Sequence, residues 1–374
     1  MLKILLTADN HIGLKYASHE QGSFLAQARI SALEPMVELA HREDCGLFVI
    51  AGDLFENVST VSKRDVKAAT EILSHFHGTV AILPGNHDYY TPEAKVWQHF
   101  REAAGQSDNL LLMTEARPYS LDIAGESVTL YPALCNTRHS APGENSLDWI
   151  KKLDLSTASD SYRIGVAHGA LEGETIDSEG RYFLMTRQEL CSIPMDLWLL
   201  GHTHIPFPRN LIGNTERIFN AGTHVQTDVS CACQGQCFLL ELEQDRTVRA
   251  KSVPTGSVNF VRKDVAVTAG QMEAQLERAL AELDDHTVVE ILLSGAVLPE
   301  EYENRHIIAE KLLSRFLEGR YYDYGLSRRI SRETIEKEFP ETSFAAGFLT
   351  VLLDDAKEAQ LAYDLLQELK EGLQ

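Results

Sequence analysis

From the N-terminus to about residue 255, short apolar runs alternate with amphipathic stretches. Residues 3–8, 47–51, 80–83, 163–167 and 197–200 are almost continuously apolar and read as strands buried on both faces. Helical periodicity lies between the first three, over residues 24–43, where Pro35 predicts a kink, and over residues 62–76. Residues 126–131, 236–243 and 247–253 read as further strands, the last two as an antiparallel pair. After Val253-Pro254-Thr255-Gly256 the pattern changes. Strands at 259–267 and 287–293 and helices at 271–283 and 307–317 predict a small appended α+β domain over residues 256–340. Residues 341–374 form a tail with one more helical pattern over 355–373, striped by Leu361, Leu365, Leu366 and Leu369.

Chemistry-bearing residues collect where these strands end. Asp9 and His11 follow the first strand, Asp53 the second, and Asn86-His87-Asp88 the third; His168 follows the fourth, and His202 and His204 the fifth. Loops at the carboxyl ends of strands in an open α/β sheet converge on one place, so these residues are expected to meet. Carboxylates, imidazoles and one amide oxygen suit a borderline metal such as manganese, iron or zinc better than calcium. There are too many ligands for one ion, and two ions need a bridging group; Asp53, alone on a Gly-Asp turn, fits that need. Gly52, Gly85 and Gly201 are expected to turn the backbone sharply before the metal-facing residues. Any one of these histidines alone would read as a core or surface residue. The five motifs in this order do not.

Ala8-Asp9-Asn10-His11, Gly52-Asp53-Leu54-Phe55, Gly85-Asn86-His87-Asp88, His168 and Gly201-His202-Thr203-His204 resemble the calcineurin-like metallophosphoesterase superfamily over residues 1 to about 255. Within it, the first two motifs and the appended domain look most like the SbcD-type DNA repair exonucleases. The resemblance implies an αββα two-sheet sandwich with a small α+β capping domain. It implies one ion held by Asp9, His11, Asp53 and His204 and another by Asp53, Asn86, His168 and His202. His87 would be catalytic, with Asp88 orienting it. The ions are expected to be manganese, and a homodimer and an SbcC-type ATPase partner are expected as well. Glu56 departs from relatives that carry a further histidine there, and the stretch around Cys231, Cys233 and Cys237 departs from the family's look.

Charge complicates the substrate. Of 374 residues, 34 are Lys or Arg against 55 Asp or Glu, a formal charge of -21, whereas binders of polyanions carry a basic footprint. The richest local answer is the run from Arg320 to Arg332, where Arg328, Arg329 and Arg332 with neighbouring tyrosines are candidate DNA contacts. Lys63, Arg64 and Lys67 are a second basic group. Six scattered cysteines do not make a disulfide scaffold, and Cys231, Cys233 and Cys237 match no standard zinc spacing. No run reaches membrane-spanning length, so a cytoplasmic protein without membrane contact is expected. Three activities remain open: a manganese-dependent DNA exonuclease and endonuclease, a small-nucleotide phosphodiesterase or phosphatase, and a degenerate phosphoesterase serving as a scaffold.

Overall fold

The computed structural model describes residues 1–156, 160–174, 181–211, 216–231 and 233–371. The chain divides into two compact units, Met1–Asn259 and Phe260–Gln374.

The first unit is built on two sheets. Strands β1 (Leu2–Thr7), β2 (Leu47–Ala51), β3 (Thr79–Leu83) and β4 (Leu110–Leu112) run parallel. The second sheet holds β5 (Tyr119–Ile123), β6 (Glu126–Ala133), β7 (Tyr162–His168), β8 (Leu197–Gly201) and β9 (Ile218–Asn220), parallel from β6 onward. Strands β10 (Gln236–Leu242) and β11 (Val248–Pro254) then return to the first sheet as the expected antiparallel pair, giving the order β11-β10-β1-β2-β3-β4. Strand pleat sorts the apolar residues into layers. Ile4, Leu6 and Val49 pack against Leu130, Ile164, Val166 and Leu199 between the sheets. Their neighbours Leu5, Phe48, Ile50 and Ile82 face the other way, onto helices α1 (Gly22–Ser31), α2 (Leu33–Arg42), α3 (Lys63–Ser74) and α4 (Lys95–Ala104). Trp198 and Leu200 meet Leu147, Ile150 and Leu190 on the far face of the second sheet. The result is an αββα sandwich, with the candidate metal-ligand motifs at the ends of β1, β2, β3, β7 and β8 and the loops that follow them.

Pro35 does not kink one long helix. The helix ends at Ser31 and a new one begins at Leu33, with Pro35 in its first turn. A proline there lacks an N–H that the helix would not have used, whereas in a continuous helix its ring would clash with the carbonyl of residue 31.

The second unit carries β12 (Asn259–Thr268), β13 (Thr287–Val297) and β14 (Glu318–Arg328) in one sheet, with Met272–Leu280 and Arg305–Leu313 supplying the helical side of its core. The arginine- and tyrosine-rich run is therefore mostly strand, with Arg332 opening the helix Arg332–Glu338 behind a Ser331 cap. Residues beyond 340 belong to this unit rather than forming a separate tail. In the helix Ala356–Glu371 the buried face runs through Ala359, Ala362 and Tyr363, and of the leucine stripe Leu366 packs on it while Leu361, Leu365 and Leu369 are exposed. No helix among the described residues is long and apolar enough to cross a membrane.

Trp97 locks α4 to the site-bearing loops: its indole is fully buried, touches Phe55 and Phe100 edge-on, and donates from Nε1 to the Asp88 carbonyl. Trp97→Ala is expected to destabilise the first unit by about 3–5 kcal/mol, read as a lowered urea midpoint. An unchanged midpoint would contradict this packing.

Candidate metal centre

Asp9 and His11 have φ of 51° and 44°, Asp53 has 52° and His202 has 106°, all in the left-handed region. Such backbone costs of order 1–3 kcal/mol per residue and persists only where neighbours over-determine it. Here they do. Asp9 N donates to Gly52 O, His11 N to Asp53 O and Ile12 N to Leu54 O, so the two loops run side by side. His202 N donates to both Asp9 carboxylate oxygens, at 2.9 and 3.1 Å, and His87 N donates to Asp53 Oδ1 at 2.8 Å.

Among the described residues, Asp9, His11 and His204 bring their ligand atoms within 4.8 Å of one another, and so do Asp53, His168 and His202. Asp53 also clusters with His11 and His87. His11 Nε2 lies 3.0 Å from His204 Nε2 and 3.8 Å from Asp53 Oδ2. His168 Nε2 lies 3.1 Å from Asp53 Oδ2 and 3.0 Å from Asn86 Oδ1, which is also 3.0 Å from His202 Nδ1. All seven expected ligands therefore meet in two adjoining groups with Asp53 between them.

The donor set fits divalent cations. His11 Nδ1 is engaged by Glu56 Oε2 at 2.8 Å and His168 Nδ1 by the Ala51 carbonyl at 2.9 Å, which leaves both Nε2 atoms pointing at other electron-rich atoms. Lone pairs aimed at one another underground need a positive charge between them. Burial pushes the Asp9 carboxyl up to about 7 and pulls His11 down and His204 down to about 3, so these imidazoles are neutral ligands. Burial also opposes charge on His168, but the Asp53 carboxylate outweighs it and lifts His168 to about 9. A proton there occupies the place that a metal ion would take.

Of the three glycines, Gly52 turns the backbone as expected, and Gly85 and Gly201 work differently. Gly52 has φ of +95°, and an added Cβ would lie 2.0 Å from His168 Nδ1. Gly85 and Gly201 have no left-handed φ; they are needed for space, a Cβ on Gly85 falling 2.2 Å from Asp53 Oδ1.

Asp88 does not orient His87. Its carboxylate is fully buried, accepting from Gly85 N at 2.6 Å and Phe55 N at 2.9 Å, so it ties the β2 and β3 loops together; burial pushes it up to about 7. The His87 ring instead faces Glu56, with Nδ1 3.1 Å from the Glu56 carbonyl and 3.5 Å from Oε1. Burial pulls His87 down, but the hydrogen bond to Glu56 and the charges of Asp53 and Glu56 raise it to about 9. The sequence marks Glu56 only as a missing histidine. It gives no sign at all of a buried arginine, Arg29 on α1, which donates to the carbonyls of Asp9 and Asn10. Elsewhere, Cys231, Cys233 and Cys237 are free thiols and join none of the metal-ligand clusters among the described residues. In the second unit Asp284, Asp285 and His286 cluster, all exposed.

With this geometry in place, the sequence comparison is decisive: the family model for calcineurin-like phosphoesterases matches residues 2–206. The chain belongs to that family. Its members hold divalent metals, and hydrolysis of phosphoesters is the family's chemistry. An uncharacterised metallophosphoesterase of Bacillus subtilis (strain 168), YhaO, is 25% identical over 215 residues, 54% of this chain and 48% of that protein. The chain thus spans about half the length of this curated relative. Similar solved structures include a Thermus thermophilus protein, 16% identical with a TM-score of 0.42 over 67% of this chain and 98% of that one. A dimetal phosphatase from Danio rerio is 12% identical with a TM-score of 0.42, over 68% and 99%.

Because Asp53 stands in both groups, Asp53→Ala is expected to lower the affinity of both ions, seen as loss of metal on dialysis, whereas His204→Ala should weaken one. Retention of both ions by Asp53→Ala would contradict a shared ligand. Glu56→Gln removes the carboxylate charge that helps keep His87 protonated, while the bond to the residue-56 carbonyl stays. The alkaline fall in kcat/KM, expected near pH 9 when imidazolium is lost, should therefore move to lower pH in this variant. An alkaline limb that stays put would separate His87 from Glu56.

Proposed function

We propose that this phosphoesterase is a manganese-dependent DNA exonuclease and endonuclease of the SbcD type, hydrolysing phosphodiester bonds in DNA repair or recombination. Two divalent ions at the paired groups would supply an activated water and neutralise charge on the phosphate oxygens. The protein's own part falls to His87. Held as imidazolium, it can give its proton to the departing alkoxide and regain one from solvent, since its side chain is 26% exposed. Transfer of this kind is worth about 10²–10⁴ in rate. Glu56 remains ionised, drawn down to about 2 because its bonds to His11 and His87 outweigh burial, and so keeps that proton in place.

The observation that carries a polymeric substrate is the surface leading away from the ions. A cleft of about 350 Å³ walled by His11, Glu56, His87 and His204 shares Leu14, Lys15, Tyr16 and His19 with a neighbouring cleft of about 640 Å³ that reaches Arg64. Lys63 and Lys67 are paired with Glu102 and Glu71, but among the described residues Lys15 and Arg64 have no ion-pair partner. A strand longer than one nucleotide would have room along this path, where Lys15 and Arg64 offer positive charge beside the carboxylates of Glu20 and Asp65. In the second unit Arg328 lies over the Tyr302 ring at 5.0 Å, and Arg328, Arg329 and Arg332 carry no ion pair among the described residues, beside exposed Tyr322 and Tyr324. We assign these arginines to DNA as well. A homodimer, an SbcC-type ATPase partner and a cytoplasmic location belong to the same proposal. The net charge of -21 favours the alternative, a small-nucleotide phosphodiesterase.

Linear and circular DNA and a chromogenic diester, each with manganese, separate the two. The proposal expects cleavage of DNA, and expects Arg328→Ala, Arg329→Ala and Arg332→Ala combined to reduce it at least tenfold more than diester hydrolysis. The salt slope of DNA binding should flatten by roughly one per lost contact. Brisk diester hydrolysis without DNA cleavage would establish the alternative.

A further inference from the structure

Arg29 is a fully buried cation that forms no ion pair among the described residues. Its guanidinium donates from Nε and Nη2 to the Asn10 carbonyl at 3.0 and 2.8 Å, and from Nη2 to the Asp9 carbonyl at 3.2 Å. Nη2 also donates to Thr223 Oγ1 at 3.2 Å, and Nη1 to the carbonyls of Val225 at 2.8 Å and Gln226 at 3.2 Å. Thr223 Oγ1 lies 2.9 Å from the Asp9 carbonyl, and the His224 ring closes the arrangement through Nε2 to the Arg29 carbonyl at 2.8 Å. Among the described residues no carboxylate comes within ion-pair distance. An apolar side chain would fill the same space between α1 and the sheet without burying a charge, so packing does not explain an arginine here.

Its acceptors do. Asp9 and His11 are two ligands of one metal group, and the carbonyls that Arg29 grips belong to Asp9 and to Asn10 between them. The third ligand of that group, His204, has Nδ1 3.4 Å from the Thr227 hydroxyl, next after the Val225–Gln226 carbonyls that Arg29 also holds. The Asp9 and His11 backbone is left-handed, and the carbonyls of Asp9 and Asn10 in that loop turn back to the guanidinium. Among the described residues no hydrogen bond or ion pair joins the Arg29 side chain to the loops that carry Asn86 and His168.

We infer that Arg29 is a positioning residue for one ion of the pair, the ion at Asp9, His11 and His204. A planar fork with five donors can hold several carbonyls in fixed directions; lysine cannot. The inference rests on the two-ion reading of the site, and the two fail in different ways.

The test is titration of metal-free protein with Mn²⁺ by calorimetry, alongside thermal unfolding. Wild type is expected to bind two ions. In Arg29→Met one binding step should weaken at least tenfold while the other changes less than threefold, and turnover should recover in excess manganese. Arg29→Lys should weaken the same step. Equal weakening of both steps, or unchanged affinities with a lowered unfolding temperature, would reduce Arg29 to a structural clamp and overturn the inference. A wild type that binds fewer than two ions would instead overturn the two-ion reading. Should Arg29→Met not fold, Thr223→Val removes one arm of the clamp, and a selective loss of the same step is required of it; no selective loss overturns the inference.

Discussion

The Asp53 carboxylate is the group around which the site is arranged. It is buried, it lies on a left-handed backbone at the end of β2, and it faces His168 Nε2 at 3.1 Å and His11 Nε2 at 3.8 Å. Burial would raise its pKa, yet the imidazoles around it, His168 first, pull it far below the carboxylate range. An anion held underground this way obliges the surroundings to supply positive charge, and the protein places every neighbouring ligand where a cation can answer it. The chain brackets that carboxylate from both sheets: β1 and β3 deliver Asp9, His11 and Asn86 from one, β7 and β8 deliver His168, His202 and His204 from the other. The narrow core of Ile4, Leu6, Val49, Ile164 and Leu199 sets how closely the two sets approach.

Around this anion the protein builds support of two kinds. Glu56 acts electrostatically, fixing which nitrogen of His11 is free and keeping a proton on His87. Asp88 and Arg29 act on backbone: the first joins the β2 and β3 loops through amides, the second holds the β1 loop through carbonyls. Strain in the left-handed residues is thereby balanced by hydrogen bonds to neighbouring loops. Rigidity is useful here, because metal ligands displaced by a fraction of an ångström lose affinity and a misdirected His87 loses its proton acceptor.

That these candidate ligands would meet is legible in the sequence, because each follows an apolar strand and strand ends converge. Most of the strands are legible too, but β4 and β9 are too short to leave a period, and β5 and β14 mix polar with apolar residues and do not read as strands. What escapes is whatever depends on backbone acceptors. Arg29 sits in an amphipathic pattern as one polar residue among several, and nothing local says that its partners are carbonyls of residues 9, 10, 225 and 226. Glu56 is visible, but its bond to His11 spans 45 positions. Asp88 beside His87 in sequence suggests a pair; the turn points the two side chains to different partners. Pro35 reads as a kink because sequence periodicity cannot tell one bent helix from two.

The central claim is that two ions share Asp53. Anomalous diffraction from crystals equilibrated with Mn²⁺ tests it most directly. Two peaks about 3.5–4 Å apart on either side of the Asp53 carboxylate, one against Asp9, His11 and His204 and the other against Asn86, His168 and His202, are the predicted result. A single peak at full occupancy, or a pair that leaves Asp53 outside the coordination of either ion, would contradict the account.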